Sequence, residues 1–325
     1  MCTAFTYESN HFYFGRTLDN DCSYGEEVVI LPRNFPLSFR YMPDKNMHYS
    51  ILGVAHVSEG YPLFYDAINE KGLAIAGLNF VGNAHYFSPS EGKNNVAQFE
   101  WIPWLLSQAQ SVKEVREMLA NTQIVNVSFR DDLPCAKLHW IIADEKECIV
   151  VESLEDGLHI YDNPLGVLTN NPTFEQHLKH WNAFSSLSPY DEEKVRTIEE
   201  QKEFSRGMSS IGLPGDYSSK SRFVRAAFVR KFSVSKPGEI DSVSQFFHLL
   251  HSVDQPRGVS RAKNDAYEMT LYANCYDTRC GVCYYTTYHN HQIHAVELWN
   301  ENLDGKELYR FPMVEQEQIH YQNQK

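Results

Sequence analysis

Short runs of β-branched and aromatic residues, separated by turn formers, dominate the first third of the chain. Cys2–Tyr7, Phe12–Arg16 and Val28–Leu31 are such runs and predict three strands. Ala67–Phe80 reads as a strand, a Glu-Lys-Gly turn and a second strand that ends in Gly77-Leu78-Asn79. The period then changes. Ser111 and Glu114 form a capping box ahead of Val112, Val115, Met118 and Leu119, whose spacing is helical. Strands return at Leu138–Ala143, Ile149–Glu152 and Leu158–Tyr161, with alternation suited to a half-buried sheet. Ser188–Phe204 is polar and charged and predicts an exposed helix, whereas the glycines of Gly207–Asp216 require a loop. Helices are expected at Ser221–Lys231 and Val243–His251, and strands at Met269–Ala273 and Val282–Tyr288. No repeat, low-complexity tract or linker interrupts the pattern. Strands and helices come in blocks without a βαβ rhythm, which predicts α+β layers.

Composition narrows the partners. With 325 residues, 42% of them hydrophobic, the chain can build a sizeable core as one large domain or two small ones. A formal net charge of -13 makes a surface that repels phosphate backbones and anionic membranes. Neither nucleic acid nor a membrane is an expected partner. No apolar stretch approaches the roughly 20 residues needed to cross a bilayer. The N-terminus, MCTAFTYESNHFYFGR, lacks the basic leader and apolar run of a signal peptide. Seven cysteines, at positions 2, 22, 135, 148, 275, 280 and 283, form no disulfide pattern, so a reducing cytoplasm is expected.

Candidate chemistry gathers at the start of the chain. A small side chain at position 2 permits removal of Met1, which leaves Cys2 with a thiol and a free α-amine. A free thiol titrates near about 8.5 and an α-amine near about 7.7–8.0. The amine can therefore take the thiol proton near neutral pH without a separate histidine. A lone cysteine at this position is more often an incidental residue at a frayed terminus. Its neighbours favour the chemical reading. The following residues predict a strand that locks the terminus into a sheet, and Arg16 and Asp19 come shortly after its hairpin partner. An arginine near the thiol favours thiolate, and an aspartate near the ammonium orients it. The alternative is a surface ion pair between the two.

Four segments, MCTAFTYESNHFYFGRTLD, YDAINEKGLAIAGLNF, GVLTNNPTF and GLPGDYSSKSRF, occur in this order. Together they resemble the choloylglycine hydrolase family, which comprises bile salt hydrolases and penicillin V acylases. The resemblance runs from residue 2 nearly to the C-terminus. It implies an α+β N-terminal-nucleophile hydrolase fold, an αββα sandwich of two mainly antiparallel sheets between helical layers. It also implies a single domain over residues 2–325 after loss of Met1, often assembled as a homotetramer. Carried over by residue, Cys2 is the nucleophile and its α-amine the base; Arg16 sits beside the thiol and Asp19 holds the amine. The backbone N–H of Asn79 and the side-chain amide of Asn170 form the oxyanion hole, and Arg222 completes the polar cluster. Read alone, Asn79 and Asn170 fit turns and Arg222 fits a surface charge. Gly212–Asp216 lacks the lysine pattern of a phosphate loop.

The implied reaction is amide hydrolysis through a thioester, without metal or organic cofactor. Leu18, Tyr65, Phe129 and Leu133 lie in segments that flank the acyl pocket in this family and are the expected apolar walls; ordinary core packing accounts for them equally. Asn79 and the overall likeness favour glycine- or taurine-conjugated bile acids over penicillin V. Two readings of other classes compete. Cys280 and Cys283, with Cys275, His289, His291 and His294, have zinc-like composition, but one strand over Val282–Tyr288 would turn the two cysteines to different faces. A non-catalytic bile-acid binder or thiol sensor would keep the pocket without needing the whole polar cluster.

Overall fold

The computed structural model describes residues 1–190 and 206–323. Of the exposed helix expected at Ser188–Phe204, only Ser188–Tyr190 is described, and it is non-helical; the rest lies outside the described residues. Two sheets organise the chain. The six-stranded sheet runs β12 (Val167–Leu168), β1 (Cys2–Glu8), β2 (Phe12–Asn20), β13 (Met269–Asp277), β14 (Val282–Thr287), β15 (Asn290–Glu297). The eight-stranded sheet runs β11 (Gly157–Asp162), β10 (Cys148–Leu154), β9 (Leu138–Ala143), β6 (Ala74–Asn79), β5 (Tyr61–Asn69), β4 (Ile51–Ser58), β3 (Glu27–Leu31), β16 (Tyr309–Pro312). Neighbours within both are antiparallel, whereas the small pair β7 (Asn94–Ala97) and β8 (Thr122–Val125) is parallel.

Alternation along the strands sorts side chains into layers. In β3, Val28 and Ile30 join the core between the sheets, while Val29 and Leu31 join a second core on the outer face. In β9, Ile141 and Ala143 face the first core and Trp140 and Ile142 the second. The outer core is closed by α1 (Trp101–Leu106) and α2 (Val112–Leu119), whose Trp101, Trp104, Leu105 and Val115 are buried there. Across the molecule, α4 (Ser219–Phe232) and α5 (Glu239–His251) cover the six-stranded sheet, and α3 (Phe174–Trp181) packs on α4. Phe246 of α5 meets Phe5 of β1 edge-on at 6.4 Å. The result is the αββα sandwich. Because both faces of each sheet are covered, the central strands are buried almost throughout, rather than half-buried.

Two local expectations change. The strand predicted to end at Arg16 continues to Asn20, because β13 pairs with β2 along its length and satisfies the backbone there. Arg16 and Asp19 are therefore buried strand residues, not surface residues following one. At α2, the Ser111 hydroxyl accepts from the Glu114 N–H at 3.3 Å, but the Glu114 carboxylate takes the Gln110 N–H at 2.8 Å. Half of the capping box forms as expected; the other half shifts by one residue.

Candidate active site

Cys2 opens β1 opposite Leu18 of β2, and only 4% of its surface is exposed. Its backbone N–H donates to Asn170 Oδ1 at 2.8 Å. Met1 precedes it as a short tether: the Asp19 N–H donates to the Met1 carbonyl at 2.9 Å, and the Met1 ammonium donates to the Asp19 carbonyl at 2.7 Å. That ammonium also pairs with Glu268. Its pKa is lowered, mainly by burial; Cys2 and Asp19 oppose the shift, and Arg222 and Arg16 add to it.

Arg222 reaches this point from α4. The helix starts firmly because Ser218 Oγ caps the Ser221 N–H at 3.4 Å and Asp216 Oδ2 accepts from the Ser221 hydroxyl at 2.5 Å. Hydrogen bonds from Ser218 and Ser221 hold Asp216 down at about 2. One turn in, the fully buried Arg222 donates from Nη1 to the Cys2 carbonyl at 2.6 Å and to Thr3 Oγ1 at 2.5 Å. Its Nη2 donates to Asn170 Oδ1 at 2.7 Å, so that oxygen accepts from both Cys2 and Arg222. The Asn170 amide nitrogen donates to the Asn79 carbonyl at 2.8 Å. An amide nitrogen carries two hydrogens, so one remains for a substrate oxygen. Asn79 stands exposed at the end of β6, where its Oδ1 accepts the Val81 N–H at 3.2 Å, the turn role that its position predicts.

Arg16 is fully buried and close enough to interact electrostatically with Cys2. Its Nη1 donates to the Gly77 carbonyl at 2.7 Å and, more weakly, to the Tyr65 carbonyl at 3.4 Å; its Nε lies 3.9 Å from Asp66. Nη2 is buried without a hydrogen-bond partner, an open donor at this depth. Burial disfavours the Arg16 charge, but Cys2, Tyr272, Asp66 and Asp19 outweigh it and raise its pKa above the ordinary arginine value. Asp66 is itself fixed by the Tyr272 and Tyr276 hydroxyls at 2.5 and 2.6 Å. On the other side, Asp19 accepts from Thr270 Oγ1 at 2.7 Å and Gln255 Nε2 at 3.3 Å.

Cys2, Arg16, Asp19, Asn79, Asn170 and Arg222 thus meet through shared partners, although they come from β1, β2, β6, the segment after β12, and α4. Residues 2–311 match the model of the linear amide C–N hydrolases, choloylglycine hydrolase family. The chain belongs to this family. As a choloylglycine hydrolase family member, it is an amide C–N hydrolase. It is 48% identical to a bile salt hydrolase/transferase of Lactiplantibacillus plantarum, over 99% of this chain and all of that protein. It is 35% identical to a bile salt hydrolase/transferase of Clostridium perfringens, over 95% of each chain. The crystal structure of a conjugated bile acid hydrolase from Clostridium perfringens superposes with a TM-score of 0.91 at 34% identity, covering 99% of this chain and 100% of that one. The penicillin V acylase from Agrobacterium tumefaciens, at 19% identity and a TM-score of 0.75 over 96% and 91% of the two chains, shares the fold.

The expected apolar walls are placed unevenly. Leu18 is buried opposite Cys2, and Tyr65 sits on β5 with its carbonyl toward Arg16 and its hydroxyl on Glu26. Phe129 instead packs with Tyr61 and Phe99, at 5.8 and 5.2 Å between ring centroids. Leu133 closes a turn with Arg130. Asp66, Thr270 and Gln255 escaped sequence reasoning, because each acts through a partner far along the chain. Asp66 alone offered a signal: a charge inside a run that otherwise reads as a buried strand.

Proposed function

We propose that the chain hydrolyses the amide bond of glycine- or taurine-conjugated bile acids, with Cys2 as an N-terminal nucleophile once Met1 is removed. The observation that carries this reading is the bridge from the Cys2 nitrogen through the Asn170 amide to the Asn79 carbonyl, clamped by Arg222. Near full-length identity of 48% to a protein named bile salt hydrolase/transferase supports the substrate class.

Loss of Met1 converts the Cys2 N–H into an α-amine beside Asn170 Oδ1. An α-amine titrates near about 7.7–8.0, so part of it is free to accept a proton near neutral pH. The thiol attacks the amide carbonyl while this amine takes the thiol proton. Negative charge grows on the carbonyl oxygen, and the remaining Asn170 N–H, with the Asn79 N–H, stabilises it; one such donor contributes roughly 3–4 kcal/mol. Arg16, with its unpaired Nη2, stabilises thiolate. The amine then returns the proton to the leaving nitrogen, glycine or taurine departs, and water hydrolyses the thioester. Leu18 and Tyr65 wall the acyl site near the nucleophile, with Phe129 and Leu133 farther along it.

The mature protein is a single domain beginning at Cys2, a homotetramer of the cytoplasm in this reading. All seven cysteines are free, and no helix among the described residues is long and apolar enough to cross a membrane. Intact mass is expected to show Met1 absent. In matched assays, release of glycine or taurine should exceed release of 6-aminopenicillanic acid; a preference for penicillin V overturns the substrate assignment. Cys2→Ser should abolish turnover and retain bile-acid binding, since oxygen is the poorer nucleophile beside the same weak base. Unchanged turnover removes Cys2 from the mechanism.

A further inference from the structure

Cys280 and Cys283 do not converge: Cys283 is buried in β14, whereas Cys280 is exposed in the turn between β13 and β14. That turn instead brings Cys280 to His11, from the turn between β1 and β2, and to Asp277, the last residue of β13. Sheet register causes the meeting. Asp277 lies opposite Tyr13 across the β2–β13 ladder, so both turns end at the same edge of the sheet. His11 Nδ1 lies 2.7 Å from Asp277 Oδ2 and 3.7 Å from Cys280 Sγ. One ligand atom from each residue falls within 4.8 Å of the others.

Asp277 is held in place. It is fully buried, and its Oδ1 accepts the N–H groups of Arg279 and Cys280 at 3.0 and 2.9 Å. Oδ2 is therefore left to face His11, whose ring stacks on Tyr13 at 6.4 Å between centroids.

We propose that His11, Asp277 and Cys280 form a surface site for one divalent transition-metal cation of the zinc class. Imidazole nitrogen, carboxylate oxygen and thiolate sulfur are its ligands, with a fourth position open to water. The donor set suits zinc, whose bonds of about 2.0–2.3 Å put neighbouring tetrahedral ligand atoms roughly 3.3–3.7 Å apart. The nitrogen–sulfur spacing already fits. The nitrogen–oxygen spacing opens by about half an ångström when the cation replaces the shared proton. Binding also releases the thiol proton, so affinity rises with pH. The backbone N–H groups on Asp277 Oδ1 orient that ligand from behind. A reactive thiol fits less well, because partial burial and then the Asp277 carboxylate push the Cys280 thiol up. Metal here staples the β1–β2 turn to the β13–β14 turn.

The test is a cobalt(II) titration of the reduced full-length protein, carried out in a Cys2→Ala background so that the nucleophile contributes no thiolate. The expected result is a sulfur-to-cobalt charge-transfer band that saturates at one equivalent. It disappears with Cys280→Ala, and the affinity drops by more than roughly tenfold with His11→Asn. Zinc should raise the unfolding temperature of the Cys2→Ala protein and leave that of Cys2→Ala/Cys280→Ala unchanged. Circular dichroism of each variant checks that the fold is retained, which the exposure of Cys280 favours. Absence of a stoichiometric band overturns the site, as does an equal band without Cys280.

Discussion

Arg222 Nη2 donates to Asn170 Oδ1 across 2.7 Å, and both side chains are buried. The contact fixes which end of the Asn170 amide faces Cys2. With the oxygen taken by Arg222 and the Cys2 nitrogen, the NH2 must point toward Asn79. Arg222→Lys keeps the charge but cannot bridge the Cys2 carbonyl, Thr3 and Asn170 from one planar fork. We expect kcat to fall about 10²- to 10³-fold, the loss typical of a displaced oxyanion donor. Steady-state kinetics on a conjugated bile acid check this, and near wild-type kcat would show that Asn170 needs no clamp.

Thr270 offers a subtler test of Asp19. Its hydroxyl donates to Asp19 Oδ1, while its oxygen accepts the Gln255 N–H at 2.9 Å. Thr270→Val preserves shape and removes both bonds, so Asp19 loses its shortest side-chain restraint. Turnover should drop about tenfold or more with little change in KM, and Thr270→Ser should restore most of it. Equal losses in Val and Ser variants would assign Thr270 to packing instead.

His177 should make stability depend on acid. It is buried in α3, stacked on Phe223 at 4.5 Å, and its Nε2 donates to the Asn170 carbonyl at 2.8 Å. Burial lowers its pKa to about 3. Below the ordinary value of about 6.5 the unfolded chain takes up a proton that the folded one refuses, so stability falls as pH falls toward about 3. At pH 4.5 the cost is about 2–3 kcal/mol relative to pH 7. His177→Gln, which keeps a donor for Asn170, should remove that part of the decline in urea midpoints measured at both pH values.

Gly15 precedes Arg16 where β2 lies tight against β13. A Cβ there would stand 2.0 Å from the Asn274 carbonyl oxygen and 2.9 Å from the Phe246 ring. Backbone cannot yield as a flexible side chain can, so Gly15→Ala should destabilise the fold by about 3 kcal/mol or more. Denaturant unfolding measures this; a cost below about 1 kcal/mol would mean that the ladder relaxes freely.

Strands were readable in local apolar runs such as Val28–Leu31 and Leu138–Ala143, although the run of β4 at Ile51–Ser58 was missed. The end of β2 was not readable, because Arg16, Thr17 and Asp19 are polar locally and are buried by partners far along the chain, β13 among them. Trp101–Leu106 escaped for another reason: all six residues are buried, so the helix has no polar face to reveal its period. At the site, Asn79 and Asn170 read locally as turns, and Asn79 also fills that role; their meeting needs β6 and β12 brought together.

Composition and local pattern were enough for the α+β class, the hairpin that carries Cys2, and the family to which its motifs point. Cys2 as a candidate nucleophile followed from its position only together with Arg16, Asp19 and the family motifs. Only the tertiary structure decided that Asn170 joins Cys2 to Asn79, that Thr270 and Gln255 hold Asp19, and that Cys280 faces His11 rather than Cys283. The physical reason is range. Strand and turn preferences are set by sterics within a few residues, whereas these contacts join residues 91 to 269 positions apart, which only the assembled fold makes neighbours.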